Sequence, residues 1–378
     1  MSKKKVLVFI DWFRPGYKAG GPVASLDNLT AQLSGEIDFY IVTRDTDYCE
    51  TKPYADVKAN QWNEFSPGVH VYYISAARIR KNTLRKLLAE REYDRYYVNG
   101  IYSPFFSILP LNLLRSKRNR TIVAARGMLA ESAIAIKAGR KKIYLALAKF
   151  FGIYKGLTFH ATSEQEVRDI KNVFGESARV VLAENLPRKT PPQIIPIEKR
   201  AGELRLICLA RVAPEKNNLY ALQVLKPVKS RVTIDFYGSA YDEAYANACR
   251  AFLRELPGNV SAAFHDPVPA GEVPHLLQNY HALFLPTRGE NFGHVILESL
   301  GSARPVIVSD RTPWQDLQEK KAGFVLPLDQ PEAFTKAIES LAAMDAATYR
   351  QYCENAAKRA AEFSGDSKLV EASRKLFE

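Results

Sequence analysis

Short apolar runs alternate with helical patterns along the whole chain, and that alternation restricts the fold more than any other feature. In the first half the runs are Val6–Ile10, Ile37–Thr43, Val69–Ser75, Tyr96–Val98, Thr121–Ala125 and Leu157–Ala161. The pattern starts again at Leu204–Ala210 and continues through Val232–Gly238, Val260–Phe264, His281–Pro286, Arg304–Ser309 and Gly323–Leu326. Strands alternating with helices predict an α/β chain built on mostly parallel, doubly wound sheets, which bind ligands outside the carboxyl ends of their strands.

A chain of 378 residues is long for one core and suits two domains. The proline-rich segment 186–200, beginning Leu186-Pro-Arg-Lys-Thr-Pro-Pro, lacks a helical period and reads as the linker. The expected organisation is therefore a domain over 1–185, a second over 201–362, and a last helix over 363–378. Hydrophobic residues at 47% and charged residues at 25% supply two ordinary cores and exclude a disordered chain. Cys49, Cys208, Cys249 and Cys353 are far apart and show neither metal-knuckle nor disulfide spacing, which fits a reducing compartment. The apolar stretch Val6–Ile10 is too short for a signal sequence or a membrane span, so a cytoplasmic protein is expected.

The basic excess is confined to one half. Up to Thr190 there are 31 Lys+Arg against 18 Asp+Glu, and after it 22 against 23. A basic first half predicts an anionic partner there: phospholipid headgroups, nucleic acid or a phosphorylated acceptor. Within it, 133–155 mixes Ile134, Ile136, Ile143, Leu147, Phe150 and Phe151 with Lys137, Arg140, Lys141, Lys142 and Lys149. Such a stretch can lie on an anionic membrane surface, or be a core-facing helix with solvated lysines.

Several turns at predicted strand ends carry candidate chemistry. Gly20-Gly21 opens a helix, although it is not a dinucleotide fingerprint. Asp45-Thr-Asp47 has the spacing of a metal-binding acidic pair, but its Asp/Thr-rich turn reads as a solvated loop. Ser163 suits a helix cap with Glu166 as its box partner. The unit Thr287-Arg-Gly-Glu-Asn-Phe-Gly-His-Val-Ile-Leu-Glu298 reads as a glycine-rich turn opening a helix. Backbone N–H groups of Asn291, Phe292 and Gly293 are then placed to meet a ligand's hydroxyls or phosphates, with Glu290 at the mouth and Glu298 two turns down the same helix.

The stretch Glu290-Asn-Phe-Gly-His-Val-Ile-Leu-Glu298, followed by Arg304-Pro-Val-Ile-Val-Ser-Asp310, resembles the donor-site signature of the retaining glycosyltransferases of family 4. A second match is Arg211-Val-Ala-Pro-Glu-Lys216, in the order the family has it. The resemblance implies a GT-B fold: two Rossmann-like, doubly wound parallel-sheet domains facing a cleft, with the last helix crossing back to the first domain. It also implies transfer of a sugar from a UDP- or GDP-linked donor to an acceptor hydroxyl with retention of configuration. Arg211 and Lys216 would hold the diphosphate without a metal or other cofactor. Glu298 would hold the ribose, and Glu290 with Asn291, Phe292 and Gly293 would orient the donor sugar. Gly20 and Gly21 would face the donor phosphates, and Gly238 and Val268 would flank the nucleotide.

Two departures stand out. Arg126-Gly127 occupies the place where the family commonly has histidine and glycine, exchanging a titratable group for a permanent cation in the catalytic set. Ala303 stands where the family usually has glycine. Bacterial cell-surface polysaccharide enzymes are the nearest subset, which implies lipopolysaccharide, capsule or exopolysaccharide assembly on a polyprenyl-diphosphate-linked acceptor at an anionic membrane surface, and no nucleic acid. A nucleotide-sugar 2-epimerase of the same architecture and a nucleotide-sugar-binding protein without transfer activity are the competing readings.

Overall fold

The structure, a computed structural model, describes residues 3–135 and 138–378. The chain forms two compact units, Met1–Lys189 with Ser367–Glu378 in one and Thr190–Asp366 in the other.

The first unit is built on a sheet whose strands are β1 (Lys4–Phe9), β2 (Ile37–Arg44), β3 (Trp62–Ser66), β4 (Val69–Ile74), β5 (Arg95–Asn99), β6 (Thr121–Ala124), β7 (Thr158–Ala161) and β8 (Arg179–Leu182). Their order is β3-β4-β2-β1-β5-β6-β7-β8. Neighbours run parallel except β3, which pairs antiparallel with β4. Val6, Leu7, Val8 and Phe9 are fully buried, as expected of a central strand covered on both faces. The carboxyl-terminal segment belongs to this unit. Arg374 makes a two-pronged ion pair with Glu36 (2.6 and 2.8 Å), and Phe377 packs edge-on against Phe39. The helical run that reads from sequence as opening at Phe363 is divided here, into Ala346–Ser364 and Ser367–Lys375.

The second unit has a sheet of β9 (Glu203–Leu209), β10 (Arg231–Tyr237), β11 (Val260–His265), β12 (Ala282–Leu285), β13 (Val306–Ser309) and β14 (Gly323–Leu326). The order is β11-β10-β9-β12-β13-β14, and every pairing is parallel. β12 and β13 are buried end to end, so their side chains are apolar on both faces rather than alternating. Arg304 is buried too. It donates to the carbonyls of Ile195, Leu277, Gln278 and Ala303, tying the irregular stretch after residue 190 to the core. Because all strands of this sheet point one way, the loops that leave β9, β10, β12 and β13 emerge at one edge.

Candidate active site

That edge collects the residues singled out in the second half. After β9 the chain turns through Arg211 to Asn217, and after β12 through Thr287 to Gly293. Backbone contacts join the two loops: the Glu215 carbonyl accepts from Arg288 N–H (2.9 Å) and from Thr287 Oγ1 (3.0 Å). The loop after β13 completes the frame, with Ser309 Oγ donating to the Thr287 carbonyl (2.6 Å) and Glu290 N–H to the Arg311 carbonyl (2.9 Å). Asn217 takes a left-handed conformation (φ 61°), which asparagine tolerates better than most residues, and so starts the helix Asn218–Leu225.

Lys216 and Glu290, 74 residues apart in sequence, form an ion pair in which both side chains are largely buried. Arg211 pairs with Glu215 at 3.0 Å. Each cation therefore stands beside a carboxylate. A di-anionic ligand that entered would share or displace those partners, exchanging one charge-assisted contact for another.

Beside Arg211 a pocket of about 520 Å³ opens between the ends of β9, β10 and β11, lined by Val212, Gly238, Ser239, Arg250, His265 and Asp266 among others. Glycine at 238 has a local cause: a Cβ there would lie 2.1 Å from the Ala210 carbonyl oxygen, so no larger residue fits. His265 stacks on Tyr237 (4.5 Å between centroids) and meets Asp235 at 2.6 Å through Nε2. Val268 lies in the loop after β11, beyond the residues that line the pocket.

The turn at 290–298 differs from the expected one. The helix runs His294–Gly301, with Gly293 as its N-cap at φ 79°, so Asn291 and Phe292 belong to the preceding loop and not to its first turn. Glu290 and Glu298 consequently do not share a helix, and Glu298 lies about one turn in. Phe292 is a buried anchor: its ring packs on Trp314 and Phe363, and its carbonyl accepts from Trp314 Nε1 (2.6 Å). The position needs an aromatic for the core.

In the first unit, Gly20 (φ 70°) caps the helix Gly21–Leu33, and a Cβ on either glycine would meet open space. Asp45 and Asp47 are buried, correcting the solvated-loop reading. Asp47 accepts from the backbone N–H groups of Tyr17 (2.9 Å), Lys18 (3.2 Å) and Tyr48 (2.7 Å), fastening the loop that leads to Gly20. Its neighbours leave this carboxylate engaged in loop structure. Among the described residues no group of three His, Cys, Asp or Glu is arranged to hold a metal.

Arg126, just after β6, adopts φ 54° and donates to Asn99, Asn185 and Tyr97. Glu166 is buried behind it. Ser163 caps the helix Glu164–Phe174 by accepting from Glu166 N–H (3.2 Å), while the Glu166 carboxylate accepts from Gly127 N–H (2.6 Å), Thr162 N–H (2.7 Å) and Thr162 Oγ1 (2.8 Å). Asn99, Asn185, Tyr97 and Glu215 were not singled out from the sequence: Tyr97 and Asn99 lie in β5, and Asn185 and Glu215 lie in the segments that follow β8 and β9.

The basic stretch resolves into the helices Glu131–Ala135 and Ala138–Phe150, and Ile136 and Lys137 lie outside the described residues. Leu145 and Ala148 face the core, whereas Ile143, Leu147, Phe150 and Phe151 are 63%, 50%, 84% and 60% exposed. One face of this helix thus packs on the core, and the other exposes apolar and basic side chains. Lys141 is turned inward, donating to the Ala133 carbonyl (2.6 Å) over the Tyr102 ring, while Arg140, Lys142 and Lys149 are exposed. No helix among the described residues is long and apolar enough to cross a membrane.

Comparison with known proteins bears on the fold. Residues 203–344 match the family model described as glycosyl transferases group 1, which covers the second unit's sheet and its Arg211, Lys216, Glu290 and Glu298. No curated protein matches the chain by sequence. Among solved structures, a sucrose-phosphate synthase from Thermosynechococcus elongatus superposes with a TM-score of 0.71 at 16% identity, covering 100% of this chain and 98% of that one. HepE from Anabaena, solved with UDP and glucose, gives 0.68 at 15% identity, covering 99% and 98%. WaaG, a glycosyltransferase of lipopolysaccharide biosynthesis, gives 0.62 at 12% identity with the same coverage. The fold is GT-B, and family match and neighbours together support a glycosyltransferase.

Proposed function

We propose that the chain is a retaining glycosyltransferase that moves a sugar from a UDP- or GDP-linked donor to the hydroxyl of a lipid-linked glycan at an anionic membrane surface. The observation that carries this reading is the Lys216–Glu290 contact, which brings two separately recognised sequence signatures to one point at the carboxyl edge of the second sheet. Arg211 and Lys216 meet the diphosphate and stabilise the charge that develops on it as the bond to the sugar breaks, so fixed cations supply what a metal supplies elsewhere. Glu290 accepts from the donor sugar's hydroxyls, and Glu298 from the ribose. The adjoining pocket of about 520 Å³, open beside Gly238 and His265, takes the nucleoside. HepE's complex with UDP and glucose supports this class of donor, and WaaG's role supports polysaccharide assembly. The exposed apolar face of the helix Ala138–Phe150, flanked by Arg140, Lys142 and Lys149, supports the membrane surface.

The test is turnover of a panel of UDP- and GDP-sugars on lipid-linked acceptors in the presence of EDTA, with the anomeric configuration of the product followed by proton NMR. The reading expects nucleoside diphosphate release that survives the chelator and a product with the donor's configuration. An inverted product would remove the retaining assignment, and turnover restored only by manganese would remove the metal-free one.

A further inference from the structure

The first unit holds a polar constellation of its own. Arg126 donates through Nε to Asn99 Oδ1 (2.7 Å), through one Nη to Asn185 Oδ1 (2.9 Å) and through the other to the Tyr97 hydroxyl (2.8 Å). A guanidinium has more N–H donors than these contacts use and has no acceptor. Because it can only donate, Asn99 and Asn185 must turn their oxygens toward it, which leaves both amide nitrogens as donors beside it. Asn99 is 5% exposed, and its Nδ2 has no hydrogen-bond partner, a costly state for a buried amide that lacks a ligand.

None of the three groups that accept from Arg126 carries a negative charge. Tyr97 donates to His160 Nδ1 (2.7 Å), and His160 Nε2 donates to the Ala183 carbonyl (2.8 Å), so the imidazole is the neutral Nε2–H tautomer. Burial, then the nearby Arg126, push the His160 pKa down to about 3, and burial pushes the Tyr97 phenol up to about 12. Neither neighbour becomes an anion to pair with the guanidinium at neutral pH. The arginine backbone is also left-handed, a conformation that is strained for a non-glycine residue and that persists where surrounding structure imposes it.

The geometry points to an oxyanion-binding site formed by Arg126, Asn99 and Asn185, which takes a phosphate or carboxylate carried by the acceptor. Donors converge and no acceptor among these three groups faces the ligand, which selects an acceptor-rich group over a sugar hydroxyl. That the oxyanion belongs to an acceptor rests on the glycosyltransferase reading. The site itself does not.

The experiment is a calorimetric titration of the full chain carrying Arg211→Ala and Lys216→Ala, which removes both proposed phosphate contacts in the second unit, with methyl phosphate, acetate and, as a neutral control, ethylene glycol. Methyl phosphate or acetate binds and ethylene glycol does not. Tighter methyl phosphate marks a phosphorylated acceptor and tighter acetate an acidic sugar. Arg126→Gln weakens oxyanion binding about tenfold or more. Asn99→Asp does the same without unfolding, since its carboxylate still accepts from Arg126 while an oxygen replaces the Nδ2 donor. A purely structural arginine would instead leave Asn99→Asp as stable as the parent or more so, with oxyanion binding unchanged. That result, or failure of both oxyanions to bind, overturns the site. Nucleoside diphosphate titrations of Arg126→Gln with Arg211 and Lys216 intact separate the two readings. If the parent binds no nucleotide yet shows Arg126-dependent oxyanion binding, the donor assignment fails and this site stands.

Discussion

Ala303 shows how one residue departs from its local geometry at a measurable cost. It sits at φ 56°, between the helix His294–Gly301 and β13, where a Cβ is crowded by the backbone. Ala303→Gly is expected to stabilise the protein by about 1 kcal/mol, the left-handed penalty less glycine's extra chain entropy, and thermal unfolding reads it as a small rise in Tm. A lower Tm would mean the methyl group contributes packing that outweighs the strain. Which residues matter was partly legible at this scale. Arg211 and Lys216 were legible through the family resemblance and Glu290 also through its glycine-rich turn after a strand, and the departure at 303 is visible against the same family pattern. Glu215 and Asn99 were not legible, because a lone carboxylate or amide acquires meaning only from the strand end beside it. Asp47 was misread for the opposite reason: its turn composition suggests solvent, yet backbone N–H groups from residues 17 and 18 fold over it.

Among elements, the buried strands were legible and the edges were not. β12 and β13 are continuous apolar runs, whereas β3, with burial limited on its exposed edge, and β8, a four-residue edge strand, carry too little pattern to be recognised. The start of the helix at His294 was misplaced because Gly293 is its cap, while Asn291 and Phe292 serve loop and core. The helix Ala138–Phe150 carries the element-scale prediction. Its outward side chains, Ile143, Leu147, Phe150 and Phe151, are large and apolar, and a surface helix gains little from them in water. Replacing Phe150 and Phe151 by serine is expected to lower binding to anionic vesicles about tenfold or more, since each lost aromatic removes on the order of 1.5–3 kcal/mol of burial. Reversing Arg140, Lys142 and Lys149 to glutamate should act in the same direction and make the binding that remains less weakened by salt. Lys141 is left out because its ammonium is already bonded inside the unit. Vesicle sedimentation that matches the parent for both variants would leave the acceptor soluble and this face without a membrane role.

For the whole molecule, repetition made the architecture legible: two runs of strand and helix, each with its own apolar material, predict two parallel-sheet units whatever the individual boundaries. The return of Ser367–Glu378 to the first unit was expected only through the family resemblance, because Arg374 meets Glu36 and Phe377 meets Phe39 across most of the chain, and no local period encodes such a pairing. The placement of function follows from the same plan. Parallel strands deliver their loops to one edge, so residues as distant as Lys216 and Glu290 come into contact there. The most direct measurement of that account is calorimetry of UDP and GDP on the parent protein and on Lys216→Ala. The account predicts that at least one nucleoside diphosphate binds the parent and that the variant, with its unfolding transition retained, binds it at least about tenfold more weakly, the loss expected for one charge-assisted contact to a diphosphate. Equal affinity in the two proteins would contradict the donor site as described.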